Sequence, residues 1–303
     1  MTVKNASYLS SEKKITKELR NKTVLITGGA GSIGSQLVKR ILKYPVKLVR
    51  VLDIDEYALF MLKRSTNDVR LRPLLGNILD KSRLDMAGMN VDIIIHTAAI
   101  KNIEISEFNP IETIDVNTIG TVNLIKMAIN NKPEKFLNIS TDKAADSSTL
   151  YGTTKQLSER VTTWAGIHVE KTKFASVRFG NVIESRGNVF DIWKNEADNN
   201  KPLSITDPTM SRYFFHVNEA VDFILDSLLK MNLGEIFVPK MKKFNIKELA
   251  LQISKEHKVI GLRPGEKMDE ILLSDTEKKF AVEKHDRWII KPYFKNNNFV
   301  QQV

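Results

Sequence analysis

The chain has 303 residues, 42% hydrophobic and 27% charged, enough apolar material for a packed core but with no run of the roughly 20 apolar residues that crosses a bilayer. It has no cysteine, which excludes disulfides, thiolate metal ligands and a cysteine nucleophile, and its five histidines (His96, His168, His216, His257, His285) are too scattered to make a zinc set. The net charge of +10 is spread along the chain without a nucleic-acid-binding motif, so it points to small anionic ligands rather than to nucleic acid.

Residues 1–21 read as a polar arm, loose or a short helix, too charged for a secretory signal; with no signal and no cysteine, the expected location is cytoplasmic. Thr23–Thr27 is then a buried strand, Ser32–Lys43 a helix and Leu48–Asp53 a second strand. A helical stretch follows with Tyr57, Leu59, Phe60 and Leu62 as its apolar positions. Arg70–Leu75 and Val91–His96 are the third and fourth strands, Ile111–Asn130 a long helix and Lys135–Ser140 the fifth strand. Tyr151–Gly166 reads as a helix and Phe174–Phe179 as the sixth strand. Unbroken β-branched runs suit strands buried on both faces, and strand–helix alternation with right-handed crossovers gives a doubly wound parallel sheet. The expected fold is therefore α/β and Rossmann-like over residues 22–181. Beyond it, helices at Asn218–Met231 and Ile246–Glu256 lie among irregular segments. These define a smaller C-terminal lobe, residues 182–295, interleaved with the sheet, before a polar tail at 296–303.

Three glycines, Gly28, Gly31 and Gly34, follow the first strand and open the first helix. That spacing permits a tight turn, backbone approach to a pyrophosphate, and an anion seated on the helix N-terminus. Asp53 ends the second strand, 19 positions beyond Gly34, where a carboxylate accepts hydrogen bonds from the adenosine ribose. It repels a 2′-phosphate, so NAD is favoured over NADP; Asp55 acts in the same sense, and Lys63 and Arg64 against it. Tyr151 and Lys155, four apart on one helix face, bring a phenol near an ammonium. A nearby cation favours phenolate and makes a tyrosine a usable base.

Taken in order, TGGAGSIG, HTAAIK (His96–Lys101), NTIGTVN (Asn117–Asn123), STDKA (Ser140–Ala144), YGTTK (Tyr151–Lys155), RFGNV (Arg178–Val182), SRG (Ser185–Gly187) and GLRPGEK (Gly261–Lys267) resemble the UDP-N-acetylglucosamine 4,6-dehydratase group of the extended short-chain dehydrogenases. The resemblance covers about residues 22–290. It implies a tightly held nicotinamide dinucleotide contacted by Thr27, Gly28, Gly31, Ser32, Ile33, Gly34, Asp53, Asn77, Ile78, Ala98, Ala99, Lys101, Asn117, Tyr151 and Lys155. It implies further that Tyr151 takes the sugar O4 proton, that Lys143 is the base at C5, and that Asp142 is the acid that expels the C6 hydroxyl as water. Thr141 would bond the sugar or Tyr151, and Lys155 the nicotinamide ribose. For the UDP-sugar substrate it implies contacts from Lys101, Thr141, Asn181, Arg186, Arg263 and Glu266. Tyrosine at 151, where C5-retaining relatives commonly carry methionine, resembles the C5-inverting subgroup. Self-association and a role in surface-glycan biosynthesis are also implied.

The chain departs from the family pattern at Asn77, where aspartate is usual, at Asn102-Ile103-Glu104 after Lys101, and at Asp191 after Phe190. Two other readings stay open: a UDP-sugar 4-epimerase, which shares the Tyr/Lys pair but needs no acid and base at C5 and C6, and a non-catalytic dinucleotide-binding scaffold.

Overall fold

The computed structural model describes residue 8, residues 11–263 and residues 265–292; the expected tail at 296–303 and most of residues 1–10 lie outside the described residues. In chain order the elements are α1 (Glu12–Leu19), β1 (Thr23–Thr27), α2 (Ser32–Ile41), β2 (Leu48–Asp53), α3 (Glu56–Thr66), β3 (Leu71–Leu75), α4 (Lys81–Gly88) and β4 (Ile93–His96). There follow α5 (Ile103–Phe108), α6 (Pro110–Ile114), a π-helical turn at Asp115–Ile119, α7 (Gly120–Asn131), β5 (Lys135–Thr141), α8 (Leu150–His168) and β6 (Lys173–Phe179). The remainder comprises β7 (Asn181–Val182), α9 (Val189–Asp198), β8 (Leu203–Ile205), β9 (Ser211–Phe215), α10 (Val217–Lys230), β10 (Ile236–Pro239), β11 (Lys243–Asn245) and α11 (Ile246–Leu251). The last elements are β12 (His257–Val259), α12 (Asp275–Lys278), β13 (Ala281–Glu283) and β14 (Arg287–Ile290).

Nine strands form one sheet in the order β13-β14-β10-β6-β5-β4-β1-β2-β3. Pairing is parallel from β3 to β10 and antiparallel at β14 and β13. The reversal of winding between β1 and β4 is the switch point beside which such sheets bind ligands. Strands β1, β4 and β5 are buried at every position, as their apolar runs require. β3 carries Pro73, which an edge strand tolerates because one side of it needs no partner.

Each face of the sheet has its own core. Val24, Ile26, Ile93 and Ile95 pack with Leu37, Ile41, Val221 and Ile224 of α2 and α10; Leu25, Ile94 and Phe136 pack with Leu84, Leu124 and Ala165 of α4, α7 and α8. Residues beyond 181 divide between two places. Trp193, Leu203, Ile205, Phe214, Ile246 and Leu249 form a separate core in a small lobe. α10, β10, β13 and β14 return to the main sheet.

The segment read as a polar arm, loose or a short helix, contains the short helix α1, capped by the Ser11 hydroxyl, which accepts from the Lys14 N–H at 3.4 Å; its Ile15 and Leu19 are buried in the main core beside Tyr8. Two other expectations need correction. The long helix expected over Ile111–Asn130 begins at Pro110 and passes through the π turn, which adds a residue to one turn and redirects Asn117 inward. The helix expected over Ile246–Glu256 stops at Leu251, because the chain must turn to place β12 alongside β8.

Candidate active site

The glycine loop joins β1 to α2 at the switch point. Gly28 has φ +65°, and a Cβ there would lie 2.5 Å from the Ala98 backbone, so only glycine lets the loop lie against the strand-end segment after β4. Gly31 is the N-cap of α2 and supplies no side-chain cap, which leaves the first N–H groups of that helix for an anion. Asp53 Oδ2 accepts from the Ala30 N–H at 2.9 Å and Oδ1 from the Asp55 N–H at 3.1 Å. It therefore braces the glycine loop from the end of β2, while Asp55 is the residue that caps α3. A nicotinamide dinucleotide fits this cradle: a bare helix N-terminus for its diphosphate and a carboxylate at the adjoining strand end for its adenosine ribose.

Around it, the expected cofactor residues fall into two groups. Ser32, Ile33, Ala98 and Ala99 are partly open at the loop, and Asn77 is exposed, its Oδ1 accepting from the Leu79 N–H at 2.9 Å. Thr27, Ile78 and Asn117 are buried and hold the cleft together. Thr27 Oγ1 pairs with His96 Nδ1 at 2.7 Å, and His96 Nε2 with Thr121 Oγ1 at 3.0 Å. Asn117 accepts from the Ile100 N–H at 2.8 Å and donates to Ile100 O and Thr154 Oγ1 at 2.9 and 3.1 Å. Burial, with the Lys155 charge adding to it, pushes the His96 imidazolium down to about 3, so this buried histidine is neutral.

The reactive cluster sits where β5 meets α8. The Thr149 hydroxyl caps α8 by accepting from the Gly152 N–H at 3.1 Å, and Glu107 of α5 accepts from the Leu150 N–H at 2.8 Å. Gly152 makes the approach possible: a Cβ there would stand 2.5 Å from the Lys143 carbonyl oxygen. The turn after β5 therefore lies directly on α8. Asp142 Oδ1 accepts from Thr141 Oγ1 at 2.9 Å and from Lys143 Nζ at 3.2 Å. Its other oxygen is buried without a hydrogen-bond partner among the described residues, with Gly180 beside it. Lys143 Nζ also lies 3.5 Å from Glu270 Oε1, and both side chains are almost fully buried.

Burial alone would lower the Lys143 ammonium, but Asp142 and Glu270 outweigh it and hold the group above its ordinary value. Burial, with the Asp142 charge adding to it, holds the Tyr151 phenol above its ordinary value, although the Lys143 charge and the Thr141 hydroxyl pull it down. Burial lowers Lys155 to about 8 against the attraction of Glu159. Tyr151 and Lys155 lie one turn apart on α8; the Lys143 charge also acts on the phenol, and the Lys155 charge acts on His96 and is supported by Glu159.

The expected substrate residues lie on two loops. The Arg186 N–H donates to Ser32 Oγ at 2.9 Å and its carbonyl accepts from Lys101 Nζ at 2.8 Å, so the 183–188 loop closes over the glycine loop. The Arg186 guanidinium remains exposed, 3.9 Å from Asp55. Asn181 donates to the Tyr213 carbonyl at 3.2 Å. Arg263 is exposed, whereas Glu266 is engaged by Arg212 at 3.4 Å and by the Arg263 N–H at 3.3 Å. This second loop rests on the segment before α8: Ser148 Oγ donates to Gly265 O at 2.6 Å and Lys267 pairs with Asp146. Arg178 is a buried anchor with bonds to Glu159 (2.7 and 3.0 Å) and Glu277 (2.6 and 2.8 Å), tying α8 to α12. Sequence reasoning missed Glu270, Arg212, Gly152 and His96 as parts of the site; only Gly152, inside YGTTK, had a local signal. No group of three or more metal-ligating side chains occurs among the described residues.

Fold and cleft together define a Rossmann-fold enzyme of the short-chain dehydrogenase/reductase kind. The chain belongs to the polysaccharide biosynthesis protein family, which it matches over residues 24–292. It is 40% identical to an uncharacterized membrane protein of Methanocaldococcus jannaschii, covering 94% of this chain and 90% of that one. It is 36% identical to a UDP-N-acetylglucosamine 4,6-dehydratase (inverting) of Campylobacter jejuni (90% and 84%) and 34% identical to a UDP-glucose 4-epimerase of Rickettsia bellii (85% and 79%). Among solved structures it is similar to Pen from Bacillus thuringiensis, with a TM-score of 0.87 at 35% identity over 91% of this chain and 89% of that one. It shares its fold with the NAD-bound dTDP-glucose 4,6-dehydratase DesIV from Streptomyces venezuelae, with a TM-score of 0.76 at 22% identity over 85% and 90%. The chain thus belongs with the nucleotide-sugar dehydratases and epimerases. No helix among the described residues is long and apolar enough to cross a membrane.

Proposed function

We propose that the protein is a nucleotide-sugar 4,6-dehydratase acting on UDP-N-acetylglucosamine, with inversion at C5. The observation that supports it is the buried Asp142–Lys143 pair beside Tyr151, since an epimerase has no use for an acid and a base at C5 and C6. The glycine loop and Asp53 would hold a nicotinamide dinucleotide, which would supply hydride acceptance from C4 and hydride return to C6.

The residues complete the proton chemistry. Tyr151 takes the O4 proton, and the new ketone acidifies C5. Moving one proton from Lys143 to Asp142, atoms 3.2 Å apart, turns the resting ion pair into an amine base and a neutral acid. The amine removes the C5 proton while the Asp142 acid protonates the departing C6 hydroxyl, which leaves as water. Lys143 then releases its captured proton, C5 takes one up, and the face that receives it sets the configuration. Tyr151 finally returns its proton to Lys143, restoring the starting charges.

Arg186 and Arg263 remain exposed on their loops, suited to the substrate diphosphate, to which a guanidinium fork bonds well. Asp53 favours NAD over NADP, which direct binding of each cofactor checks. Incubation with UDP-N-acetylglucosamine in heavy water tests the whole reading. Loss of one water, deuterium at C5 and an inverted C5 by proton NMR are expected. A product of unchanged mass differing only at C4 would instead establish the epimerase.

A further inference from the structure

Glu270 belongs to no glycine loop, Tyr-x-x-x-Lys pair or Thr-Asp-Lys triplet, yet its carboxylate is buried 3.5 Å from the Lys143 ammonium. The segment that carries it is held firmly. Asp269 bridges to Ser211, and Arg212 donates to the carbonyls of Lys267 and Met268 at 2.7 and 3.0 Å and to Glu266 at 3.4 Å. The same segment rests on the turn before α8 through Lys267–Asp146 and Ser148–Gly265. A buried acid placed this way costs desolvation free energy unless a cation answers it. The cation that answers is Lys143, which then serves two carboxylates, Asp142 and Glu270.

We propose that Glu270 is a positioning residue that holds Lys143 in its ammonium form in the resting site. Its second effect is to make that charge depend on the docking of the 263–270 segment, which also bears Arg263. The inference rests on the dehydratase reading, in which Lys143 begins the cycle charged and Tyr151, whose phenol burial holds above its ordinary value, needs that cation to act as a base. Without Glu270, desolvation and the Arg212 charge are opposed only by Asp142 and, more weakly, Tyr151, so the Lys143 ammonium loses its proton at lower pH and Tyr151 loses a cation that favours phenolate.

The test follows formation of the 4-keto product from pH 6 to 10 in wild type, Glu270→Gln and Glu270→Asp, with thermal melting and cofactor binding as checks on folding. The alkaline limb of the wild-type profile is the reference. Glu270→Gln should lose at least tenfold in kcat with KM changed less than threefold, and its remaining rate should fall on the alkaline side at lower pH than in wild type. Glu270→Asp should bring that limb back toward the wild-type position. If Glu270→Gln matches wild type, or loses rate without moving the alkaline limb to lower pH, the inference is overturned. If wild type forms no 4-keto product from any UDP-hexosamine, the dehydratase reading fails first and the inference falls with it.

Discussion

Asp142 and Lys143 are neighbours in sequence and opposite in charge, an arrangement that on an exposed loop contributes little to stability. Here the Asp142 side chain is fully buried and that of Lys143 nearly so, and the pair touches Thr141 and Glu270. Such a pair is costly to bury, and one carboxylate oxygen is left without a partner among the described residues. An unsatisfied buried acceptor in a cleft is a place for a ligand hydroxyl. Lys143→Ala and Tyr151→Phe are therefore each expected to reduce product formation by a factor of about 100 or more, the usual scale for losing a general acid or base. Cofactor affinity should be retained, because the glycine loop and Asp53 are untouched. An assay for the 4-keto sugar, with cofactor binding measured on the same samples, checks both. Retained turnover in either variant counts against the assigned roles.

At the scale of elements, the site is an encounter of β5, α8 and the 263–270 segment, and its closest approach passes through Gly152. Alanine at 152 would set a methyl 2.5 Å from the Lys143 carbonyl oxygen, backbone that cannot give way cheaply. Gly152→Ala is expected to push the Thr-Asp-Lys turn away from Tyr151 and to cut kcat by about 100-fold, the penalty for roughly an ångström of misplacement. Cofactor affinity should change little, which separates displacement of the turn from loss of the cleft. Much of this assembly was legible in advance. The strands of the parallel sheet announced themselves as β-branched runs, and the glycine spacing and Tyr151/Lys155 lay on a strand end and a helix as read. Helix α1 was legible only as one of two readings of the N-terminal segment, because only Ile15 and Leu19 in a charged stretch mark its buried side. The short strands β7–β14 were missed for a similar reason: their stability comes from pairing with distant segments, which no local pattern records.

At the scale of the whole molecule, the two cores and the sheet between them enclose His96 completely, between Thr27 and Thr121. Its imidazolium is pushed down to about 3, whereas in the unfolded chain it titrates near 6.5. Between those values the unfolded state binds one more proton than the folded state, so stability falls as pH decreases through that window. The slope from this residue alone is about 1.4 kcal/mol per pH unit inside the window. Urea unfolding at pH 7 and pH 5 should show the loss, and His96→Gln should make the pH dependence shallower even where it lowers stability overall. An unchanged slope in that variant would assign the acid sensitivity to other groups.

The sequence by itself determined the parallel sheet and the glycine loop at its strand end, because apolar periodicity and glycine spacing are local properties of a chain, while the Thr-Asp-Lys group was marked only by family resemblance. Only the tertiary structure decided that Glu270 joins Lys143 and that Asn117 turns inward on a π turn. The strength of an ionic contact depends on distance and on how much water is excluded around it, and folding sets both by bringing together segments that lie far apart in the sequence.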